Sequence, residues 1–194
     1  MRVGIRVGVL ALQGAFARHA AAFSELGAVT SFVRTPADLA GLDALAMPGG
    51  ESTAMSRLLT TSGLFDELKG AIAGGVPVFG TCAGMILLAR HVLDGRPDQR
   101  SFDAIDLTVR RNGYGRQVDS FEADLTVAGL DGGAFHAVFI RAPVVTAVGP
   151  EATVLAEHNG AAVLVRHGSI TVASFHPELT EDHRLHAQFL QEVG

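Results

Sequence analysis

Cysteine is almost absent: Cys82 is the single thiol in a chain of 194 residues. One thiol forms no internal disulfide and cannot build a thiolate-based structural zinc site, which fits a reducing compartment. Basic clusters are missing too. Lys and Arg number 15 against 20 Asp and Glu, a formal charge of −5, so no basic face exists for phosphate and nucleic acid is excluded as a partner. Charged residues are scarce at 18% while hydrophobic ones reach 48%, which argues against disorder. No signal peptide is read at the start, because Arg2 and Arg6 precede an apolar stretch, Val7–Leu12, that is too short. The uncharged run Ala71–Ala89 is long enough to suggest a membrane span. Pro77 and the glycines at 74, 75, 80 and 84 break it, and a buried strand, turn and helix explain it better. The expectation is a soluble, cytoplasmic protein with no membrane association.

Glycine is plentiful, with 23 residues set singly or in pairs at the ends of apolar runs, where tight turns belong. In the first half, β-branched or apolar runs at Arg6–Leu12, Ala28–Val33, Ala44–Met47 and Val76–Gly80 read as strands. Helical spacing marks Phe16–Leu26, with Phe16, Ala20, Phe23 and Leu26 on one side and Arg18, His19 and Glu25 mostly elsewhere. Further helices are expected after a Ser52 or Thr53 cap, over Leu64–Ala73 and over Met85–His91. Apolar strands alternating with helices predict a parallel sheet covered on both faces. The second half offers short strands at Ile105–Val109, Phe121–Val127, Ala137–Ile140, Val144–Val148, Thr153–Glu157, Ala161–Arg166 and Ser169–Ser174. Hairpin turns are expected at Asn159–Gly160 and His167–Gly168. They predict an antiparallel or mixed extension of the sheet, closed by a helix over Glu181–Val193. The fold class expected is α/β, a single-domain three-layer sandwich spanning residues 1–194.

Three segments carry chemistry. Gly80-Thr81-Cys82-Ala83-Gly84 follows a buried strand and opens a helix, a nucleophile elbow with cysteine in place of serine. A helix N-terminus favours negative charge on the sulfur, and the N–H of Ala83 can face an oxyanion. Without the flanking glycines, Cys82 would read as an inert core cysteine. Ser174-Phe175-His176-Pro177-Glu178 supplies a base and its orienting acid, since residues two apart in an extended segment share a face and Pro177 favours an extended His176. Alone, the segment would read as a surface turn. Pro48-Gly49-Gly50-Glu51-Ser52-Thr53 presents free N–H groups after a strand, suited to an anion or oxyanion, yet lacks the lysine of a phosphate loop. His183 and His186 have a metal-like spacing near Glu181 and Asp182, but a solvated helix start is the simpler reading. His158 and His167 adjoin turns.

In this order the segments resemble the class I glutamine amidotransferases. Within them, the chain is similar to the glutaminase-subunit family of pyridoxal 5′-phosphate synthase. The carrying motifs are Gly8–Gly14, Pro48–Thr53, Gly80–Gly84, Arg111–Gln117, Phe139–Pro143 and Ser174–Thr180. The elbow and the His-x-Glu pair mark only the superfamily, whereas Gly-Gly-Glu-Ser-Thr, the Arg111 segment and Phe-Ile-Arg-Ala-Pro are more specific. Tyr114 and Gly113 stand where an aromatic and a small residue are usual. The resemblance implies a triad of Cys82, His176 and Glu178, an oxyanion site at Gly50 and Ala83, and contacts to L-glutamine from Gly50, Glu51, Ser52, Arg111, Ile140 and Arg141. It implies no metal and no cofactor on this chain. It also implies a partner, the barrel-shaped synthase subunit in a large hetero-oligomer, which receives the ammonia. A glutaminase for another synthase, a general cysteine hydrolase and a silent docking protein are rival readings. The Gly-Gly-Glu-Ser-Thr segment, the short His-to-Glu spacing and the complete triad speak against them in turn.

Overall fold

The computed structural model describes residues 4–111 and 120–193. Its centre is a seven-stranded sheet in which β1 (Arg6–Leu10), β2 (Val29–Val33), β3 (Ala44–Met47) and β4 (Val78–Thr81) are parallel. β12 (Ile170–Ala173) adds to β4 in parallel, and β11 (Ala161–His167) and β10 (Thr153–His158) extend the sheet antiparallel. The order across the sheet is β10-β11-β12-β4-β3-β1-β2.

Alternation along the inner strands feeds two cores. On β3, Leu45 and Met47 face one side with Met55 and Leu59 of α2 (Ser52–Thr61) and Leu64, Phe65 and Leu68 of α3 (Leu64–Ala73). Ala44 and Ala46 face the other side with Phe23 of α1 (Phe16–Glu25) and Phe189 of α5 (Arg184–Val193). Strands buried on both faces read as near-continuous apolar runs rather than alternating ones, as residues 7–10, Ala44–Met47 and 78–80 do. The three layers expected from the sequence are present.

The elbow depends on α4 (Ala83–Leu88) lying against the ends of β3 and β4. A Cβ on Gly84 would sit 2.1 Å from the carbonyl oxygen of Met47, and one on Gly80 2.5 Å from Leu88 Cδ1. Only glycine lets the helix approach the sheet this closely. The turn places Cys82 at φ 50°, ψ −103°, an unfavourable backbone region for a residue with a side chain.

All seven strands expected in the second half form, but only β10, β11 and β12 join the central sheet. β6 (Ile105–Arg110) pairs with β9 (Val144–Val148) and with β5 (Ala89–Val92) in a separate three-stranded sheet. β7 (Ser120–Leu125) and β8 (Phe135–Ile140) form a two-stranded ribbon. The helix expected over Met85–His91 ends at Leu88, because Ala89–Val92 pairs with β6 instead. Glu51, not Ser52 or Thr53, caps α2, its carboxylate accepting from the N–H groups of Thr53 and Ala54. The closing helix starts at Arg184 rather than Glu181. Asn159 and Gly160, at φ 51° and 77°, make the expected hairpin turn, and Gly168, at φ 55°, turns the chain between β11 and β12.

Candidate active site

The loops that carry chemistry gather at the carboxyl ends of β1, β3, β4 and β12, where open parallel sheets bind ligands. A cavity of about 320 Å³ opens there, and Gly49, Gly50, Glu51, Ser52, Cys82, Arg111, Ile140, Arg141 and His176 line it. Ala83 directly follows Cys82 as the first residue of α4, where its N–H has no intrahelical acceptor. Of the Arg111–Gln117 segment, only Arg111 is described; residues 112–119, Gly113 and Tyr114 among them, lie outside the described residues.

Cys82 and His176 flank Gly49. A Cβ there would lie 2.4 Å from His176 Cε1 and 3.3 Å from Cys82 Cβ, so the absent side chain lets the glycine loop fit between them. Cys82 Sγ is also 4.0 Å from the carbonyl oxygen of Ile140. His176 Nδ1 is 2.8 Å from Glu178 Oε1, which leaves Nε2 for the sulfur side. β8 braces this pair, because the N–H of His176 donates to Val138 O at 2.8 Å and Phe135 and Phe139 pack on Phe175. Burial works against charge on His176, but hydrogen bonding to Cys82 and Glu178 outweighs it and pushes the imidazole up to about 10. Burial likewise disfavours the Glu178 carboxylate, yet its contacts with His176 and His19 hold it well below the usual range. Both shifts favour the charged forms, an imidazolium beside a carboxylate.

A second charged pair stands at the rim. Arg111 Nη2 lies 2.6 Å from Glu51 Oε1, and the backbone N–H of Arg111 donates to Asp94 Oδ1 at 2.7 Å. Burial opposes ionisation of Glu51, but the N–H groups of Thr53 and Ala54 and the charge of Arg111 keep its carboxyl below the ordinary value. The N–H of Glu51 donates to Gln13 Oε1 at 2.7 Å, which ties the glycine loop to the end of β1.

Two buried histidines depart from the sequence expectation. His19 is 1% exposed and His186 is 0% exposed, although the first is expected off the apolar side of its helix and the second at a solvated helix start. His19 Nε2 lies 3.2 Å from Glu178 Oε2, behind the triad. The signal was present: His19 falls at i+3 between Phe16 and Phe23, and His186 begins an i, i+3, i+4, i+7 set with Phe189, Leu190 and Val193.

A cysteine elbow, a His-x-Glu pair and a glycine loop at the carboxyl ends of a parallel sheet define a cysteine amidotransferase-type site. One solved structure, described as a glutamine amidotransferase, superposes with a TM-score of 0.91 at 48% identity, covering 98% of this chain and 100% of that one. A GMP synthase component from Thermoplasma acidophilum, at TM-score 0.69 and 16% identity over 100% of this chain and 96% of that one, shares the fold. The chain belongs to the SNO glutamine amidotransferase family, whose model matches residues 9–194. It is 52% identical to the pyridoxal 5′-phosphate synthase subunit PdxT of Acidothermus cellulolyticus, over 97% of this chain and 94% of that protein. It is 54% identical to PdxT of Deinococcus radiodurans, over 97% of each.

Proposed function

We propose that Cys82, His176 and Glu178 hydrolyse the side-chain amide of L-glutamine and that the ammonia feeds pyridoxal 5′-phosphate synthesis. The observation that carries this reading is the 2.8 Å contact of His176 with the buried Glu178, with His176 and Cys82 lining one cavity. With an imidazolium next to it, the sulfur attacks as a thiolate, forming a bond to the amide carbon while the carbonyl electrons move to oxygen. The N–H of Ala83 and the loop at Gly49–Gly50 receive that oxyanion. His176 gives its proton to the nitrogen, the C–N bond breaks, and ammonia leaves a glutamyl thioester. The now neutral His176 takes a proton from water, and the hydroxide attacks the thioester to release glutamate and restore the thiolate–imidazolium pair.

Free glutamine is a zwitterion, and the paired charges of Glu51 and Arg111 offer one partner to its ammonium and one to its carboxylate. Gly50, Ser52, Ile140 and Arg141 complete the wall. The chain is a glutaminase of the pyridoxal 5′-phosphate synthase type, and its partner is the synthase subunit, a barrel within a large hetero-oligomer. A thiol nucleophile and the lack of other cysteines suit the cytoplasm. Among the described residues, no helix is long and apolar enough to cross a membrane. The test is ammonia release by Cys82→Ala, assayed with the synthase subunit. Activity should vanish with the fold retained, and normal release would overturn the assignment.

A further inference from the structure

Behind the triad lies a chain of buried polar groups that the reaction above does not use. Glu178 Oε2 is fully buried, has no well-aligned hydrogen bond, and sits 3.2 Å from His19 Nε2. The same nitrogen is 3.2 Å from Thr81 Oγ1, one residue before the nucleophile. On its other side, His19 Nδ1 is 3.0 Å from His186 Nε2. The groups facing His19 are therefore Glu178, Thr81 of β4 and His186 of α5, with the ring of Phe79 closing the cage. His186 meets the rings of Phe23, Phe79 and His183, and His183 Nε2 is 3.1 Å from Glu25 Oε2.

The proton positions follow from this geometry. His186 Nδ1 is buried with no partner, and a buried N–H without an acceptor is rarer than a bare lone pair. The proton of His186 thus belongs on Nε2, which donates to His19 Nδ1. An imidazolium at His19 would reverse that bond and strand the His186 proton on Nδ1. Burial keeps His186 neutral, its imidazole falling well below the ordinary value. With Nδ1 accepting, His19 carries its proton on Nε2.

We propose that His19 is a positioning residue for the triad: its Nε2–H, fixed by donation from His186 behind it, is shared between Thr81 Oγ1 and the second oxygen of Glu178, and so holds the carboxylate with its first oxygen on His176. Neither His19 nor His186 lines the cavity, so the effect falls on turnover and not on glutamine binding. The inference rests on the triad reading, and its test separates the two.

Glutaminase kinetics in the complex with the synthase subunit would compare His19→Gln, whose amide nitrogen reaches the place of Nε2, with His19→Asn, which reaches only the place of Nδ1. His19→Asn should lose about tenfold or more in kcat, the usual effect of removing a group that orients a functional side chain. Its KM should stay unchanged, and the acid limb of its pH profile should move to higher pH as Glu178 becomes easier to protonate. His19→Gln should restore most of kcat and the original limb. Equal losses in the two variants, no loss in either, or a change confined to KM would overturn the proposal. Imidazole nitrogen chemical shifts of the unaltered protein give a reading that no folding defect affects. A protonated Nε2 and bare Nδ1 at His19 are expected, and the opposite tautomer refutes the proposal. Failure of the unaltered complex to release ammonia would instead sink the triad reading, leaving the tautomer measurement to decide the role of His19.

Discussion

Glu178 is 3% exposed and bears a charge that must be balanced from several sides. In Glu178→Gln, the amide still reaches His176 but no longer offsets an imidazolium, and turnover should fall by about tenfold or more. An unchanged kcat would make Glu178 a bystander. The same pair sets a pH window for stability. Glu178 is lowered from 4.5, so its contribution is complete above that value and lost as pH falls through the folded-state value. His176 is raised from 6.5 to about 10, so its contribution is complete below 6.5 and lost as pH rises through the upper value. The difference in melting temperature between the unaltered protein and Glu178→Gln should therefore be widest between pH 4.5 and 6.5. It should shrink on either side, and a difference independent of pH would show that neither charge contributes. At the rim, Arg111→Ala should weaken glutamine binding with little effect on the bound-state chemistry, because the guanidinium pairs with Glu51 rather than with the triad. Calorimetric titration of glutamine into Cys82→Ala with and without the Arg111 change checks this, and equal affinities would remove Arg111 from the substrate site. Cys82 between two glycines and His176 two residues from Glu178 were legible as local spacings, whereas their union in one site and the substrate role of Arg111 came only with the family resemblance. His19 and His186 escaped because a histidine on an apolar face was counted as polar, although each packs like its hydrophobic neighbours.

The elements place these side chains through close backbone contacts. Strain at Cys82, on the order of 1–3 kcal/mol for a residue in such a conformation, persists because β4, α4 and the end of β3 fix the turn. Its N–H donates to Ala173 O at 2.8 Å, which ties the elbow to β12 as well. In Gly84→Ala the new methyl would meet the Met47 carbonyl oxygen, 2.1 Å from the ideal Cβ, and a backbone atom has nowhere inexpensive to go. Stability should drop by about 1–3 kcal/mol and kcat should fall with it, as α4 swings and the thiol leaves its place beside His176. Unaltered denaturation midpoints and unaltered kcat would show that the elbow tolerates the wider spacing. The parallel strands and α1–α3 were legible because their hydrophobic periods are local properties. The partition of the later strands was not, since β6 and β9 read as short strands just as β10 and β11 do, and β5 falls where a helix was expected. Their choice of sheet depends on which apolar face each covers. Ile105, Leu107 and Val109 pack with α3 and α4, whereas Phe135 and Phe139 cover Phe175. Such non-local pairings leave no mark in the spacing of any one segment. The cap at Glu51 was hidden for a related reason: Ser52 and Thr53 have the commoner capping side chains, but the carboxylate one residue earlier reaches both orphan N–H groups.

At the scale of the whole molecule, the site is linked to a surface that a partner can reach. The loop that follows β1 touches the glycine loop twice: Gln13 Oε1 accepts from the N–H of Glu51, and a Cβ on Gly14 would lie 1.9 Å from Gly49 O. Gly50, at φ 152°, follows in a conformation that glycine adopts readily. A shift at residues 13–14 is thus transmitted to the Gly49–Gly50 loop through the Gln13 side chain and through the Gly14–Gly49 backbone contact. Ammonia released into water is protonated and loses its nucleophilicity, so a glutaminase that serves a synthase gains from working only when docked. Docking energy that favours the loop orientation with its N–H facing the oxyanion would shift the population toward the competent state. Because His176 and Glu178 are already in contact at 2.8 Å, the part that docking is expected to move is the Gly49–Gly50 loop and not the proposed base. The isolated chain is expected to be nearly inactive, and saturation with the synthase subunit should raise kcat by about 10²–10³-fold, the range an oxyanion donor supplies. Steady-state ammonia release from the chain alone and from the saturated complex decides the matter. Equal rates in the two samples would mean that the loop is already set and that docking only channels the product.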